Sequence, residues 1–289
     1  MSKLAERGID ILFEDNHLLC AVKPVGILSQ SDNTGAPDML SLLKAYLKEK
    51  YNKPGEVYLG LVHRLDKPVG GIMVFAKTSK AAARLCAQIR NHTFVKTYSA
   101  VLAGDLPETS GILRDIIVKD RQSNIVRVLP ADNNENRNTA VLKYRKINCR
   151  EGMSLVEVNL VTGKPHQIRA QFANIGFPVI GDRKYKSRRS VSAGNNQDNE
   201  RAGVHRGIVG VQPRKVGTYA GGAGRGSARR SGAVAEEPET QYATAGGETA
   251  DVRSPALWAQ KIGFDHPVSK ERMTIEAGIP EYFPWKLFS

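Results

Sequence analysis

Leu61-Val62-His63-Arg64-Leu65-Asp66-Lys67-Pro68-Val69-Gly70-Gly71-Ile72-Met73-Val74-Phe75-Ala76 reads as a polar loop wedged between two strand-like pieces. The Lys-Pro and Gly-Gly pairs punctuate a turn, and the apolar run over 72–76 has the length of a buried strand. Upstream, residues 11–22 read as two short strands around an Asp15-Asn16 turn, closed by Lys23-Pro24. Met39 to Lys50 carries Leu40, Leu43 and Leu47 at helical spacing with lysines and glutamates on the other face, the pattern of a surface helix. Downstream, Thr78 or Ser79 caps a helix with Ala82, Leu85, Cys86 and Ile89 on one side. Residues 95–102, 140–147 and 155–161 alternate as strands. Strands and helices mixed without a regular βα repeat predict an α+β domain rather than a doubly wound sheet.

Pro165 suits the first turn of a further helix, whose Ile168, Phe172 and Ile175 line one face before Gly176 ends it. His166, Gln167 and Arg169 then fall in its opening turns, where free backbone N–H groups and the helix dipole suit a phosphate. From 187 to 254 the composition changes: Gly and Arg dominate and large apolar residues nearly vanish, which predicts disorder. Order returns at 256–259 and continues through 264–267 and 273–277, read as two strands of a final hairpin. The expected organisation is therefore an N-terminal extension over 1–10 and one domain over 11–186 and 255–289, interrupted by an insertion over 187–254.

Of the 289 residues 41% are hydrophobic, enough for a real core. No run approaches the eighteen apolar residues of a membrane span and the N-terminus lacks a signal-peptide stretch, so a cytoplasmic location and no membrane association are the expectation. Cys20, Cys86 and Cys149 lie far apart in no metal-ligand spacing and read as buried thiols, with no metal site expected. Forty-two Lys and Arg against 29 Asp and Glu leave +13, which favours a polyanionic partner; a merely soluble basic surface is the plain alternative. The insertion holds ten basic and seven acidic residues, so the rest of the chain keeps +10 of that charge. Its Arg-Gly stretch is either an auxiliary RNA contact or a dispensable linker.

At His63-Arg64-Leu65-Asp66 and at Gly163-Lys164-Pro165-His166-Gln167-Ile168-Arg169 the sequence resembles the RluA-type pseudouridine synthases. Supporting matches are Lys23-Pro24-Val25-Gly26, the strand with Lys96, Tyr98 and Ala100, and Gly176-Phe177-Pro178-Val179-Ile180-Gly181-Asp182 followed by Tyr185. The chain departs from the usual pattern where Val69-Gly70-Gly71 replaces Thr-Ser-Gly, where Pro165 replaces Thr, and where Lys186 replaces Gly. The resemblance implies a mixed, largely antiparallel central sheet with flanking helices and a cleft across its middle. It also implies isomerisation of uridine to pseudouridine in ribosomal or transfer RNA; a monomer is the default expectation.

That reaction breaks the bond from ribose to base nitrogen, rotates the base and joins a ring carbon to the same sugar. It has no net redox change and no energy input, so no cofactor is expected. A carboxylate can act as nucleophile on sugar or base, or remove a sugar proton, and in each case must be ionised. The resemblance assigns that carboxylate to Asp66, its partner guanidinium to Arg169, and stacking on the target base to Tyr98. Read without it, Asp66 is a loop-capping aspartate, Arg169 a surface helix arginine and Tyr98 a core aromatic. His63 and Arg64 could position phosphates, with Arg64 the candidate to fill the place of a flipped base. Lys23, Lys164, His166 and Gln167 complete the expected RNA contacts. A noncatalytic RNA-binding protein and a glycosidase-like hydrolase stay open as rivals.

Overall fold

The computed structural model describes residues 4–120, 124–130, 139–186, 241–243, 249–252 and 254–289. The disorder expected over 187–254 therefore lies largely outside the described residues. At its end, β-strand pairing joins 241–243 to 249–251, a short hairpin that composition did not signal. Among the described residues no helix is long and apolar enough to cross a membrane.

The first hairpin joins β1 (Ile11–Glu14) to β2 (Leu18–Lys23). Its turn forms because Asp15 Oδ1 accepts from the backbone N–H of His17 (2.8 Å) and Leu18 (2.6 Å). Helix α1 (Met39–Lys50) follows, with Asp38 as its N-cap and Met39, Leu43 and Leu47 buried at i, i+4 and i+8. A two-residue strand β3 (Gly60–Leu61) precedes β4 (Gly70–Ala76), and all seven β4 residues are buried. Helix α2 (Ser79–Arg90) starts at Thr78, whose side chain accepts from the Ala81 N–H.

Beyond it, β5 (Val95–Ala103), β6 (Ser110–Lys119), β7 (Val126–Pro130), β8 (Thr139–Arg150) and β9 (Met153–Leu160) pair antiparallel. Sequence reading missed β6 and β7. In β6 the apolar residues come in doublets, Ile112-Leu113 and Ile116-Ile117, set among charges, so the alternation of exposed and half-buried positions over 110–115 has no matching alternation of apolar and polar residues. Helix α3 (Gln167–Asn174) begins two residues later than expected from Pro165, because His166 takes a left-handed backbone (φ 51°) and serves as the N-cap. After the short strands β10 (Gln241–Ala243) and β11 (Thr249–Asp251) come β12 (Leu257–Asp265) and β13 (Arg272–Glu276), the final hairpin, whose first strand starts earlier than the sequence indicated.

The main sheet runs β1-β2-β4-β12-β5-β9-β8-β6-β7, with β3 added to β4 and β13 to β12. It is a mixed sheet, antiparallel except where β4 and β12 run parallel. That junction brings residues 70–71, 258–259 and 98–99 side by side: Ala259 pairs with Gly71 on one side and Tyr98 on the other. The chain after the insertion thus supplies the strand at the centre of the sheet. On one face α3 lies over β6 to β8, its Phe172 against Tyr144 and its Ala170 and Ala173 in a cluster with Ile117, Val126 and Ala140. On the β2-β4 part, α2 covers Leu18, Cys20, Ile72 and Val74.

Candidate active site

Asp66 sits in the loop between β3 and β4, and backbone-directed polar groups hold that loop. Ser29, itself buried, donates through Oγ to the Leu65 carbonyl (2.7 Å) and accepts from the Leu65 N–H (3.1 Å). Gly26 N–H donates to the Lys67 carbonyl (2.9 Å), and Val69 N–H to that of Asp66 (3.0 Å). Lys23 donates through Nζ to the carbonyls of Pro24 (2.9 Å) and Lys67 (3.1 Å). The expectation that Lys23 meets phosphate needs correcting, since its side chain is fully buried and tied to backbone oxygens beneath the loop. Burial lowers its ammonium to about 7, against the pull of the Asp66 charge.

The glycines after Asp66 let the start of β4 pack closely on β12, whose other edge pairs with the strand that carries Tyr98. Gly71 has φ 116°, and a Cβ there would run into the Ala259 backbone. At Gly70 a Cβ would meet the Trp258 ring, so the indole occupies the space a larger residue would need. On the neighbouring strand Tyr98 is buried; burial and the Asp66 charge both push its phenol above the usual range, which keeps it neutral.

Arg169 is the cationic partner. From the first turn of α3 its Nη1 donates to Asp66 Oδ2 (3.1 Å), while Nε and Nη2 form a fork on Asp182 Oδ2 (2.6 Å) and Oδ1 (2.9 Å). Burial opposes the Arg169 charge, but Asp182 and Asp66 outweigh it and raise its affinity for the proton. Asp182 is wholly enclosed and also accepts from the N–H groups of Lys184 (2.9 Å) and Tyr185 (3.0 Å). Gly181, at φ 75°, makes that turn, where a Cβ would strike the Ser254 backbone. The guanidinium also lies 5.2 Å from the centre of the Tyr185 ring.

His166 stands on the other side of Asp66, with Nε2 3.8 Å from Oδ2 and Nδ1 2.6 Å from the Tyr185 hydroxyl. Asp66 Oδ1 has no hydrogen-bond partner among the described residues, and the side chain keeps 28% of its exposure. The site is thus a partly exposed carboxylate clamped through one oxygen, with the other unpartnered among the described residues and its charge felt at a neutral phenol.

Other expected contacts are placed differently. His63 points into the second core cluster, where its Nε2 accepts from the Val74 N–H (2.9 Å) and its ring meets Phe94; burial, with Lys96 nearby, lowers it to about 3. It is a packing residue of the loop base, not an open contact for RNA. Gln167 is also buried, its Oε1 accepting from Thr162 Oγ1 (2.9 Å) and Lys164 N–H (3.0 Å), so it shapes the turn before α3. Arg64 is exposed and Lys164 partly so. Sequence reading gave no role to Ser29, Asp182, Tyr185 or Lys96; the last lies two residues before Tyr98, comes close to Gly163, and has its ammonium pushed down by burial. Asp182 and Tyr185 stood in a quoted motif, but nothing in spacing told which group each would hold.

The segment 17–174, which contains Asp66, Tyr98 and Arg169, matches the family model described as RNA pseudouridylate synthase. A Bacillus subtilis (strain 168) protein named uncharacterized RNA pseudouridine synthase YhcT is 39% identical over 189 residues, covering 64% of this chain and 60% of that protein. The ribosomal large subunit pseudouridine synthase D of Zymomonas mobilis is 33% identical over 61% of this chain and 56% of its own length. The chain thus spans about 60% of these curated relatives. In fold it is similar to human RNA pseudouridylate synthase domain containing 4, with a TM-score of 0.62 over 94% of this chain and 89% of that one at 21% identity. With the match extending over more than half its length, the chain belongs to the RNA pseudouridylate synthase family.

Proposed function

We propose that this protein isomerises specific uridines in ribosomal or transfer RNA to pseudouridine, with Asp66 as the catalytic carboxylate. The observation that carries the reading is the one-sided clamp: Asp66 Oδ2 is held by Arg169 while Oδ1 has no hydrogen-bond partner among the described residues, and the Asp66 charge is felt at the Tyr98 phenol. Arg169 holds the carboxylate by a charge-assisted hydrogen bond that fixes its orientation, and both the nucleophilic and the proton-abstracting routes act through that carboxylate. In either route the bond from C1′ to N1 breaks, the ring turns, C5 joins C1′, the C5 proton leaves and N1 takes a proton. Tyr98, held neutral by burial, supplies an aromatic face for the turning base and a proton-bearing phenol beside it. Because a stacked uridine hides its sugar-base bond, the base must leave the helix, and Arg64, two residues before Asp66, is the candidate to fill the gap, a role its exposure supports.

The net charge of +13 supports a polyanionic substrate. The catalytic unit comprises 11–186 together with 255–289, since β12 lies at the centre of the sheet between β4 and β5. Carbodiimide-based mapping of pseudouridine in cellular RNA, comparing the wild-type gene, its deletion and Asp66→Ala, tests the reading. Sites lost in both altered strains support it and name the substrate. No lost site shifts it to a noncatalytic RNA-binding protein, and release of free uracil shifts it to a hydrolase.

A further inference from the structure

The Tyr185 hydroxyl and the His166 ring form a chain leading to Asp66, and the bond that Tyr185 already accepts favours one direction along it. Tyr185 Oη accepts from the Val126 backbone N–H at 2.9 Å. Its own hydrogen then needs an acceptor, and His166 Nδ1 lies at 2.6 Å. A histidine accepting at Nδ1 in its neutral form carries its proton on Nε2, and Nε2 is the nitrogen that faces Asp66 Oδ2 at 3.8 Å.

The backbone supports the same arrangement. His166 adopts a left-handed conformation (φ 51°, ψ 20°) at the N-cap of α3, uncommon for a residue with a side chain, and its ring makes no capping bond. The ring is spent on Tyr185 and Asp66. Tyr185 is in turn fixed by the Asp182 turn that grips Arg169, so one buried carboxylate sets both groups converging on Asp66 Oδ2.

From this geometry we infer that His166 is a positioning residue of the reaction: locked as the Nε2–H tautomer by Tyr185, it works with Arg169 on Oδ2 of Asp66 and so leaves Oδ1 as the reacting oxygen. The inference rests on the proposed isomerase reading. At 3.8 Å the contact is longer than a hydrogen bond. It shortens when RNA closes over the site, as catalytic hydrogen bonds commonly do on forming the substrate complex. The groups that face His166 suit its neutral form: burial and the charges of Arg169, Lys184 and Lys119 disfavour an imidazolium, and Asp66 alone favours it.

The test uses the full chain and, as probe, total RNA labelled with [5-³H]uridine from a strain lacking the gene, with tritium release as the readout. For His166→Phe we expect kcat to fall about tenfold to a hundredfold, the equivalent of one hydrogen bond to a charged group, with KM for the RNA within about twofold. His166→Gln, whose amide N–H reaches the Nε2 position, is expected to recover most of that loss. A His166→Phe protein that folds and turns over within about twofold of wild type overturns the inference, as does a loss confined to KM. Nitrogen-15 NMR of the histidine rings reads the tautomer without any turnover: Nε2–H is expected for His166, with a mixture in Tyr185→Phe, and Nδ1–H in the wild type overturns the inference. If the wild type releases no tritium, the isomerase reading fails while the NMR result still decides the tautomer lock.

Discussion

Glu14, at the end of β1, and Asp66, in the loop before β4, are two carboxylates set against cations on one sheet. Glu14 is satisfied on both oxygens: Oε1 accepts from Tyr51 (2.6 Å) and Lys77 (2.8 Å), Oε2 from Tyr46 (3.0 Å) and Lys50 (2.8 Å). Its side chain keeps 7% of its exposure, against 28% for Asp66, which is bound through Oδ2 alone. The first carboxylate ties α1 and the end of β4 to β1 and has no capacity left for a substrate. Half of the second is available. A charged group with all its acceptor sites filled serves the architecture, whereas one with a site left unfilled can still take a substrate, as the role proposed for Asp66 requires.

Neutralising each carboxylate should separate these roles, and the largest effect falls on Asp66. Asp66→Asn is expected to lower tritium release by at least about a thousandfold, since an amide is neither nucleophile nor base. Its unfolding free energy should stay within about 1 kcal/mol of wild type, because Arg169 keeps its fork on Asp182. Chemical denaturation alongside the activity assay checks both. A large loss of stability would place Asp66 in the same class as Glu14.

Glu14→Gln should do the reverse, costing about 2–4 kcal/mol of stability with turnover kept, because it leaves the largely buried Lys77 ammonium facing a neutral amide and removes the Lys50 pair. The cost depends on pH in a defined direction. Burial favours the neutral acid, yet Lys50, Lys77, Tyr51 and Tyr46 outweigh it and bring Glu14 from 4.5 to about 2. The unfolded chain therefore binds the proton first as pH falls. The advantage of wild type over Glu14→Gln should be complete above about 4.5 and fade towards about 2, as denaturation at a series of pH values would report.

The same contrast explains what could be read from the sequence. The contact between Asp66 and Arg169 was legible because each sits in a distinctive local string, and α1 and α2 because their caps and apolar spacing agree. Glu14 was not, since its partners come from residues 46 to 77 and no local pattern announces that convergence. Lys23 and His63 were misread for a related reason: adjacency to the site in sequence resembles adjacency in space, and only the packed sheet shows their side chains turned beneath the loop. Asp182 was visible as a residue but not as the clamp of Arg169, a relation between one helix and the turn after it.

Lys23 offers a cation-side counterpart. Its folded value is lowered to about 7 from 10.5, so between those values the unfolded chain holds a proton that the folded chain lacks, and stability rises with pH. The burial penalty is complete below about 7 and disappears as pH rises through 10.5. Lys23→Met should remove this slope, at most about 1.4 kcal/mol per pH unit. Parallel slopes for wild type and variant would show that the ammonium reaches solvent.

The smallest effect concerns how the loop carrying Asp66 meets the sheet. In this chain Gly70 stands where the family usually has serine, and the Trp258 ring fills the space a Cβ would take. Steric exclusion in a packed core costs about 1–3 kcal/mol when it cannot relax. Gly70→Ala should therefore destabilise, and Trp258→Leu should leave room for it, so the double variant should be less destabilised than the sum of the single changes by about 1 kcal/mol or more. A coupling of that size marks the Gly70-Trp258 pair as one solution to the β4-β12 junction, in which bulk moved from the loop to the central strand. Additive effects would mean that the indole merely rests against Gly70 and yields to a Cβ there.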